Sequence, residues 1–178
     1  NSLHSYGRDA SAITDRARDR IAKAINANKS NEIYFTSGGT EADNWAIKGI
    51  AHAYSNKGKH IITSAIEHHG VLDACKELES EGYEVTYLPV DKTGLVNMAE
   101  LLHSIRKDTT LISIMAVNNE VGTIQNIKAI AKIAHDYGVI FHTDAVQALG
   151  AIKIDVQDME IDAMTLSGHK IYGPKGVG

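Results

Sequence analysis

The sequence is poor in cysteine and in long apolar runs, and both shortages exclude classes of protein. Its 178 residues include one cysteine, Cys75, which excludes an internal disulfide and is typical of a reducing, cytoplasmic setting. No apolar run approaches membrane-spanning length, and the first residues do not form a signal peptide, so no membrane partner is predicted. The chain does not start with methionine, and this weakens the evidence from a missing signal peptide.

The charge balance excludes nucleic acid as a partner. Lys and Arg number 18 against 22 Asp and Glu, and the formal net charge is −4, which leaves no basic footprint. The hydrophobic fraction of 43% is ordinary for a globular protein. With only two prolines, no repeat and no low-complexity linker, the chain predicts one domain over residues 1–178, or a large part of a bigger one.

Segments of strand and helix character alternate along the chain. Apolar continuity or a period of two predicts strands at Glu32–Ser37, His60–Ile66, Glu84–Val90, Leu111–Asn118, Val139–Thr143 and Ala163–Ser167. Helical spacing marks the segments between them and an opening helix over about residues 9–28. This alternation predicts a three-layer α/β/α fold with a mostly parallel sheet. Ligands bind such sheets at the carboxyl ends of the strands, so the residues after each strand are the candidates.

Local signals also mark individual positions in the predicted helices. Asn97 is a plausible N-cap, with Glu100 three residues further on, and Tyr137-Gly138 is a typical helix stop. Cys75 shares a helix face with Val71 and Leu78, which predicts a core residue rather than a reactive thiol.

Lys170 follows the last predicted strand, beside His169 and before a glycine-rich loop. A lysine held in a cleft there could condense with a carbonyl, and partial desolvation would lower its pKa and supply neutral amine. An isolated lysine is far more often a solvated loop residue, so the interpretation depends on the partners that other strand ends supply.

The segment Ser37-Gly-Gly-Thr-Glu41 is suited to a phosphate. Its glycines let the backbone approach a ligand, and the helix that follows offers free N–H groups and the positive end of its dipole. The alternative is a plain tight turn with Thr40 as the N-cap.

Three more strand ends carry polar side chains. His68 could stack on a flat ring or transfer a proton, whereas the adjacent His68 and His69 do not predict a metal site. Asn118 offers an amide for a polar ligand, although asparagine is also a common turn former. Asp144 is costly to bury unless it pairs with a positive group such as a protonated ring nitrogen, or caps a neighbouring element. An amine, a helix N-terminus, a carboxylate and a flat group are together what pyridoxal phosphate requires.

Five motifs resemble those of the cysteine desulfurases, which are class V aminotransferases with the fold type I cofactor domain. They are Ser-Gly-Gly-Thr-Glu-Ala-Asp-Asn (37–44), Glu-His-His (67–69), Val-Asn-Asn-Glu-Val-Gly (117–122), His-Thr-Asp-Ala-Val-Gln (142–147) and Ser-Gly-His-Lys-Ile-Tyr-Gly-Pro-Lys-Gly (167–176). The last motif is the most specific and is closer to the NifS-like group than to the selenocysteine lyases. The resemblance covers essentially the whole chain.

The resemblance implies a role for each matching residue. Lys170 would form the internal aldimine, Asp144 would pair with the pyridine nitrogen, and His68 would stack on the ring and assist proton transfer. The other implied cofactor contacts are Gly39, Thr40, Ser167 and His169 at the phosphate, Gln147 at the ring hydroxyl, and Asn118 near the ring and the substrate carboxylate.

The family converts L-cysteine to L-alanine and passes the sulfur to an enzyme cysteine, which becomes a persulfide. The resemblance therefore implies a homodimeric, cytoplasmic enzyme that serves iron–sulfur cluster assembly through a sulfur-acceptor protein. Neither the persulfide cysteine nor the small C-terminal domain of the family is in this sequence, which predicts a fragment of a longer protein. In the family's sheet order, a strand starting at Val177 lies between the first and last predicted strands. Asn126 stands where the family usually has proline and is expected only to loosen a helix start.

Two other readings stay open at this point. Another class V enzyme, such as a selenocysteine lyase or an aminotransferase, would share these motifs. A catalytically incomplete scaffold that binds the cofactor weakly or not at all is the second. Nucleotide-binding readings fail, because the glycine-rich segment 173–178 lacks the Lys-Ser/Thr ending of a phosphate-binding loop.

Overall fold

A five-stranded sheet in which every neighbouring pair of strands is parallel forms the centre of the computed structural model, which describes residues 4–178. The strands are β1 (His60–Ser64), β2 (Glu84–Leu88), β3 (Thr109–Ser113), β4 (Ile140–Asp144) and β5 (Ala163–Thr165), in the spatial order β2-β1-β3-β4-β5. The helices are α1 (Ser5–Ile25), α2 (Gly39–Ala53), α3 (His69–Ser80), α4 (Met98–Ser104) and α5 (Ile127–Asp136). The predicted α/β class is confirmed, with a sheet that is wholly parallel.

Buried apolar residues form one cluster on each face of the sheet. Ile61 of β1 belongs to the cluster with residues of α2 and α3, whereas its neighbour Ile62 belongs to the cluster with residues of α4 and α5. The same alternation separates Ile140 from Phe141 in β4. Because helices cover both faces, every residue of the central strands β1 and β3 is buried, rather than every second one. Within residues 4–178, no helix has the length and apolarity that a membrane span requires.

Asparagine side chains cap the starts of α4 and α5. Asn97 Oδ1 accepts hydrogen bonds from the N–H groups of Ala99 at 2.9 Å and Glu100 at 3.3 Å, so the predicted N-cap is confirmed. Asn126 caps α5 in the same way, and the expectation that it merely loosens the helix start is wrong. Asparagine is among the best N-cap residues because its side-chain oxygen satisfies a free N–H group in the first turn. The predicted stop after Tyr137 is also present, with Gly138 at a φ of 66°.

The segment Glu32–Ser37, predicted as the first strand, is not a strand. Ser30–Glu32 is a short 3₁₀ helix, and the residues after it are extended. Among the described residues, the extended part has backbone pairing at Thr36, which exchanges two hydrogen bonds with Gly178 at 2.8 and 2.9 Å. One paired residue does not form a strand ladder. The prediction of a strand at Glu32–Ser37 is therefore wrong, although the segment is extended and apolar.

An apolar groove of about 480 Å³ lies between this segment and β5. Its lining includes Phe35, Met164, Leu166 and Val177. The groove has the position that the sequence predicts for a further strand starting at Val177, between the first and last predicted strands.

Gly58, in the loop before β1, lies against the backbone of Asp108. A β-carbon at Gly58 would lie 2.1 Å from the carbonyl oxygen of Asp108, so Gly58→Ala must displace the backbone at Gly58 or at Asp108. We expect the free energy of unfolding, measured with urea, to fall by about 2 kcal/mol. Gly49→Ala is the matched control, because the nearest heavy atom to its β-carbon is Trp45 Cδ1 at 3.9 Å within α2. It should leave stability unchanged or raise it by up to about 1 kcal/mol; equal losses would refute the steric explanation.

Candidate cofactor site

The parallel sheet brings the ends of its strands, and the polar residues that follow them, to one edge. Asp144, the last residue of β4, is paired in register with Thr165, the last residue of β5. Ser167 and Lys170 follow β5 directly, so they lie on the same edge as Asp144. His68 and Asn118 follow β1 and β3 at this edge. The residues predicted from separate strand ends therefore lie on one side of the sheet.

Asp144 is buried, and its carboxylate accepts one hydrogen bond from the described residues, 4–178. Its residue is 5% exposed, and its Oδ1 accepts a hydrogen bond from the N–H of Val146 at 2.9 Å. Burial raises the pKa of Asp144, while the Val146 N–H and the charge of a protonated His68 oppose that rise. A cationic ligand against the second carboxylate oxygen would lower this pKa again, because an opposite charge favours ionisation.

Within residues 4–178, the first backbone N–H groups of α2 have no hydrogen-bond partner, and they lie close to the loop that follows Asp144. The N-cap is Gly38, which has no side-chain oxygen to satisfy them, so Thr40 is not the cap. A β-carbon at Gly39 would lie 2.9 Å from Val146 Cγ2 and 3.6 Å from Ser167 Cβ, so the first turn packs directly on the loops that follow β4 and β5. A β-carbon at Gly38 would meet nothing within 4 Å, which leaves open space at the helix start for an anion.

Ser167 and Lys170 lie in the turn after β5. Ser167 is 4% exposed, its Oγ lies 2.9 Å from His169 Nδ1, and it begins the 3₁₀ helix Gly168–Ile171. Lys170 is exposed, which differs from the partly buried lysine that the sequence predicts. The reason is its position in a 3₁₀ turn whose residues are at best half-buried.

His68 is exposed at the N-cap of α3. Its Nδ1 accepts a hydrogen bond from the N–H of Gly70 at 3.0 Å. A neutral ring in this orientation carries its proton on Nε2, because Nδ1 is the acceptor. The hydrogen bond fixes the ring at the helix start and leaves Nε2 for a ligand or for solvent.

Both polar atoms of the Asn118 side chain, Nδ2 and Oδ1, form hydrogen bonds that connect two loops. Nδ2 donates to the carbonyl of Ile66 at 2.9 Å and lies 3.3 Å from Met115 Sδ, while Oδ1 accepts from the N–H groups of Glu120 and Val121. The sequence placed Asn118 beside a ring and a substrate carboxylate. In the structure its polar atoms bind the protein and join the loop that carries His68 to the end of β3, and its place near a ring stays a prediction. Gln147, by contrast, is half-buried in the turn after β4, and its amide forms no hydrogen bond within residues 4–178.

Sequence reasoning assigned no role to three buried titratable residues at this edge, Asp43, Glu67 and His142. Glu67 Oε1 accepts hydrogen bonds from Ser64 Oγ at 2.5 Å and from the N–H of Met115 at 3.0 Å, whereas Oε2 has no partner among the described residues. Burial raises the pKa of Glu67 to about 8. The available signal was its position directly after the buried strand β1.

His142 and Asp43 lie close together beneath Asp144. His142 Nδ1 is 2.8 Å from Ser113 Oγ and its Nε2 is 3.0 Å from Thr165 Oγ1. Burial lowers the pKa of His142 to about 4, so the ring is neutral. Strand alternation puts His142 on the same face as Asp144, and Asp43 precedes the buried Ile47 by one helical turn; these spacings could have revealed both residues.

The sole thiol of the sequence is outside this site. Cys75 is fully buried in the cluster with residues of α2 and α3, which confirms its predicted core packing. Burial raises the pKa of the Cys75 thiol to about 12, so it is not a nucleophile near neutral pH.

The donor set fits pyridoxal phosphate. The uncapped start of α2, with open space at Gly38, suits the phosphate, and the second oxygen of Asp144 suits a cationic ring nitrogen. Lys170 supplies an exposed amine at the same edge. Within residues 4–178, no group of three His, Cys, Asp or Glu side chains could hold a metal ion.

Fold and site together define an α/β domain built to hold a phosphorylated, cationic ring cofactor beside a lysine. The family profile described as Aminotransferase class-V matches residues 1–178, and this chain belongs to that family, whose enzymes depend on pyridoxal phosphate. Two curated relatives, both named cysteine desulfurase IscS, come from Dictyoglomus turgidum and Methanosarcina thermophila. They are 56% and 58% identical over 178 residues, which are 100% of this chain and 45% and 44% of theirs.

A solved structure described as SspA in complex with cysteine superposes on this chain with a TM-score of 0.96. It is 44% identical, and the match covers 100% of this chain and 51% of that one. The chain therefore spans about half the length of the proteins it matches.

The free energy of unfolding should fall less with rising pH in Glu67→Gln than in the wild type. In the folded protein the pKa of Glu67 is about 8, above its unfolded value of 4.5, so unfolding releases a proton between these limits and stability falls as pH increases. We expect the wild type to lose about 3 kcal/mol more than the variant between about pH 5 and about pH 8, from urea unfolding of the cofactor-free protein. Parallel pH profiles for the two proteins would show that Glu67 is ionised in the fold.

Proposed function

We propose that this chain is the cofactor-binding part of a pyridoxal-phosphate-dependent cysteine desulfurase, which converts L-cysteine to L-alanine. The observation that carries the proposal is the meeting of Asp144, Ser167 and Lys170 at one sheet edge beside the uncapped start of α2. The identity of 56% to a curated relative of that name supports the choice of reaction within the family.

The residues divide the work according to their chemistry. The amine of Lys170 would hold the cofactor by condensing with its aldehyde, with loss of water. Once the substrate amine has displaced it, the amine of Lys170 would accept a proton from the substrate Cα. Asp144 holds the ring nitrogen in its protonated form, and the first N–H groups of α2 with Ser167 and His169 bind the phosphate. His68 presents its ring and its Nε2 from the start of α3. When bound, the cofactor supplies an electron-poor ring that stabilises negative charge at the substrate Cα.

Transfer of the sulfur needs a thiol that these 178 residues do not supply. Cys75 is buried in the core and its pKa is raised to about 12, so it cannot attack a substrate sulfur near neutral pH. The proposal therefore places the persulfide cysteine outside this sequence, which spans 45% of its relative from Dictyoglomus turgidum. Residues 1–178 are then a partial cofactor domain, and the isolated piece is inactive.

The setting of the enzyme is part of the proposal. A homodimer in the cytoplasm that delivers sulfur to an acceptor protein for iron–sulfur cluster assembly agrees with the family resemblance and with the single cysteine of the sequence.

Lys170→Ala should abolish covalent attachment of the cofactor. In the intact protein we expect borohydride reduction to add the mass of the reduced cofactor to the wild type and not to this variant, with loss of the yellow absorbance band. Lys175→Ala is the matched control, since Lys175 is an exposed lysine in the same loop, and it should behave as the wild type. A colourless wild type in excess cofactor would instead support a non-catalytic scaffold.

Asp144→Asn should slow catalysis much more than it weakens cofactor retention. Asparagine keeps an oxygen for the Val146 N–H but cannot stabilise a positive ring nitrogen. We expect alanine formation from cysteine by the intact enzyme to fall by roughly a hundredfold or more, while cofactor content falls little. Asp136→Asn, an exposed acid on α5, is the control. An unchanged rate in Asp144→Asn would rule out its role at the ring nitrogen.

A further inference from the structure

Asp43 is a buried acid directly beneath the proposed cofactor site. It lies in the second turn of α2, its side chain is 2% exposed, and its Oδ1 has no hydrogen-bond partner among the described residues. Packing around it is tight, because a β-carbon at Gly70 would lie 3.1 Å from Asp43 Oδ2. A buried carboxyl oxygen without a hydrogen-bond partner is rare and calls for a reason.

The groups around Asp43 provide no positive charge. The titratable side chains that face it are the acids Asp144 and Glu67 and the imidazole of His142, whose Nε2 lies 3.9 Å from Asp43 Oδ1. His142 is neutral because burial holds its pKa at about 4. Within residues 4–178, no lysine or arginine lies within 4.0 Å of the Asp43 carboxylate. An ionised Asp43 would thus be an uncompensated buried charge, which is costly.

Burial and the nearby charges of Asp144 and Glu67 raise the pKa of Asp43, and a hydrogen bond with the Thr165 side chain opposes that rise. As a neutral acid, its O–H can donate to the polar layer that links Ser113, His142 and Thr165 across β3, β4 and β5. Thr165 is the register partner of Asp144, and its carbonyl accepts a hydrogen bond from the N–H of Ala145. A neutral Asp43 would therefore stabilise the ends of β4 and β5, which position Asp144.

The charge state of Asp43 also affects Asp144. Two neighbouring carboxylates raise each other's proton affinity, so a second negative charge beneath Asp144 would favour a protonated Asp144. A protonated Asp144 cannot pair with a cationic ring nitrogen. A neutral Asp43 leaves Asp144 as the carboxyl group that carries the negative charge at this edge.

We propose that Asp43 is a positioning residue that remains a neutral acid beneath Asp144. There it would hold the ends of β4 and β5 in place by hydrogen bonding and leave Asp144 as the ionised carboxylate. The role toward the ring nitrogen rests on the proposed function. The protonation of Asp43 does not.

Infrared spectra of the intact, cofactor-free protein test the protonation. With aspartate carboxyl groups labelled with ¹³C, we expect near neutral pH the carbonyl stretch of a protonated aspartic acid. This band should disappear in Asp43→Asn and persist in Asp144→Asn. The absence of such a band in the wild type, or its survival in Asp43→Asn, would overturn the proposal. Labelling separates the aspartates from the buried Glu67, and the Asp144→Asn variant separates Asp43 from Asp144.

Cofactor titrations of the intact protein, followed by absorbance, test the positioning role. Asp43→Asn retains a neutral donor and should bind pyridoxal phosphate within about threefold of the wild type. Asp43→Leu removes the donor, leaves the polar layer unsatisfied, and should weaken binding by about tenfold or more. Ile47→Val, at a buried position one turn further along α2, controls for packing and should have little effect.

The outcomes separate the two proposals. Equal weakening in Asp43→Asn and Asp43→Leu would show that the charge of Asp43 is needed, and two variants equal to the wild type would show that it positions nothing; either result overturns the inference. If Asp43→Leu fails to fold, the infrared comparison and the affinity of Asp43→Asn still decide. A wild type that binds no cofactor, together with the expected infrared band, would refute the proposed function while upholding the neutral acid.

Discussion

The parallel pairing of β4 with its neighbours β3 and β5 is the constraint on which the site depends. It fixes Asp144 opposite Thr165 and His142 opposite Ser113, so one strand carries both the carboxyl that faces the ligand and the imidazole beneath it. The first turn of α2 then closes against the loop after β4, because Gly39 has no β-carbon to strike Val146. A shift of one residue in β4 would turn Asp144 to the opposite face of the sheet.

Three acids and one imidazole are buried close together at this edge. Asp43, Glu67 and Asp144 are the acids, and the imidazole of His142 is neutral. Burial raises the pKa of each acid, so a buried negative charge here is costly without a cationic partner. Asp144 differs from the other two because it is at the strand end, where a ligand can reach it. A ring that arrives with a positive nitrogen therefore meets its counter-charge at one defined position.

Local signals predicted more of the fold than of the site. Helix caps such as Asn97 depend on a few adjacent residues and could be read directly, and so could the buried run of β4. Glu32–Ser37 could not, because a strand exists only where another chain segment pairs with it, and Gly178 alone does so here. The roles of Asn118 and Lys170 depend on three-dimensional neighbours in the same way. Ile66 takes the amide of Asn118, whereas a 3₁₀ turn exposes the amine of Lys170.

The structure also separates two kinds of nucleophile that a desulfurase needs. The amine of Lys170 lies exposed at the ligand-binding edge, whereas the thiol of Cys75 points into the core on the inner face of α3. Cys75 packs with Val71 and Leu78, so moving its sulfur to the edge would require unpacking that helix. In the proposed enzyme, the described residues would activate a substrate at its Cα, whereas they offer no exposed thiol to receive sulfur. In the proposed enzyme these two tasks belong to different parts of the protein, and the domain described here performs the first.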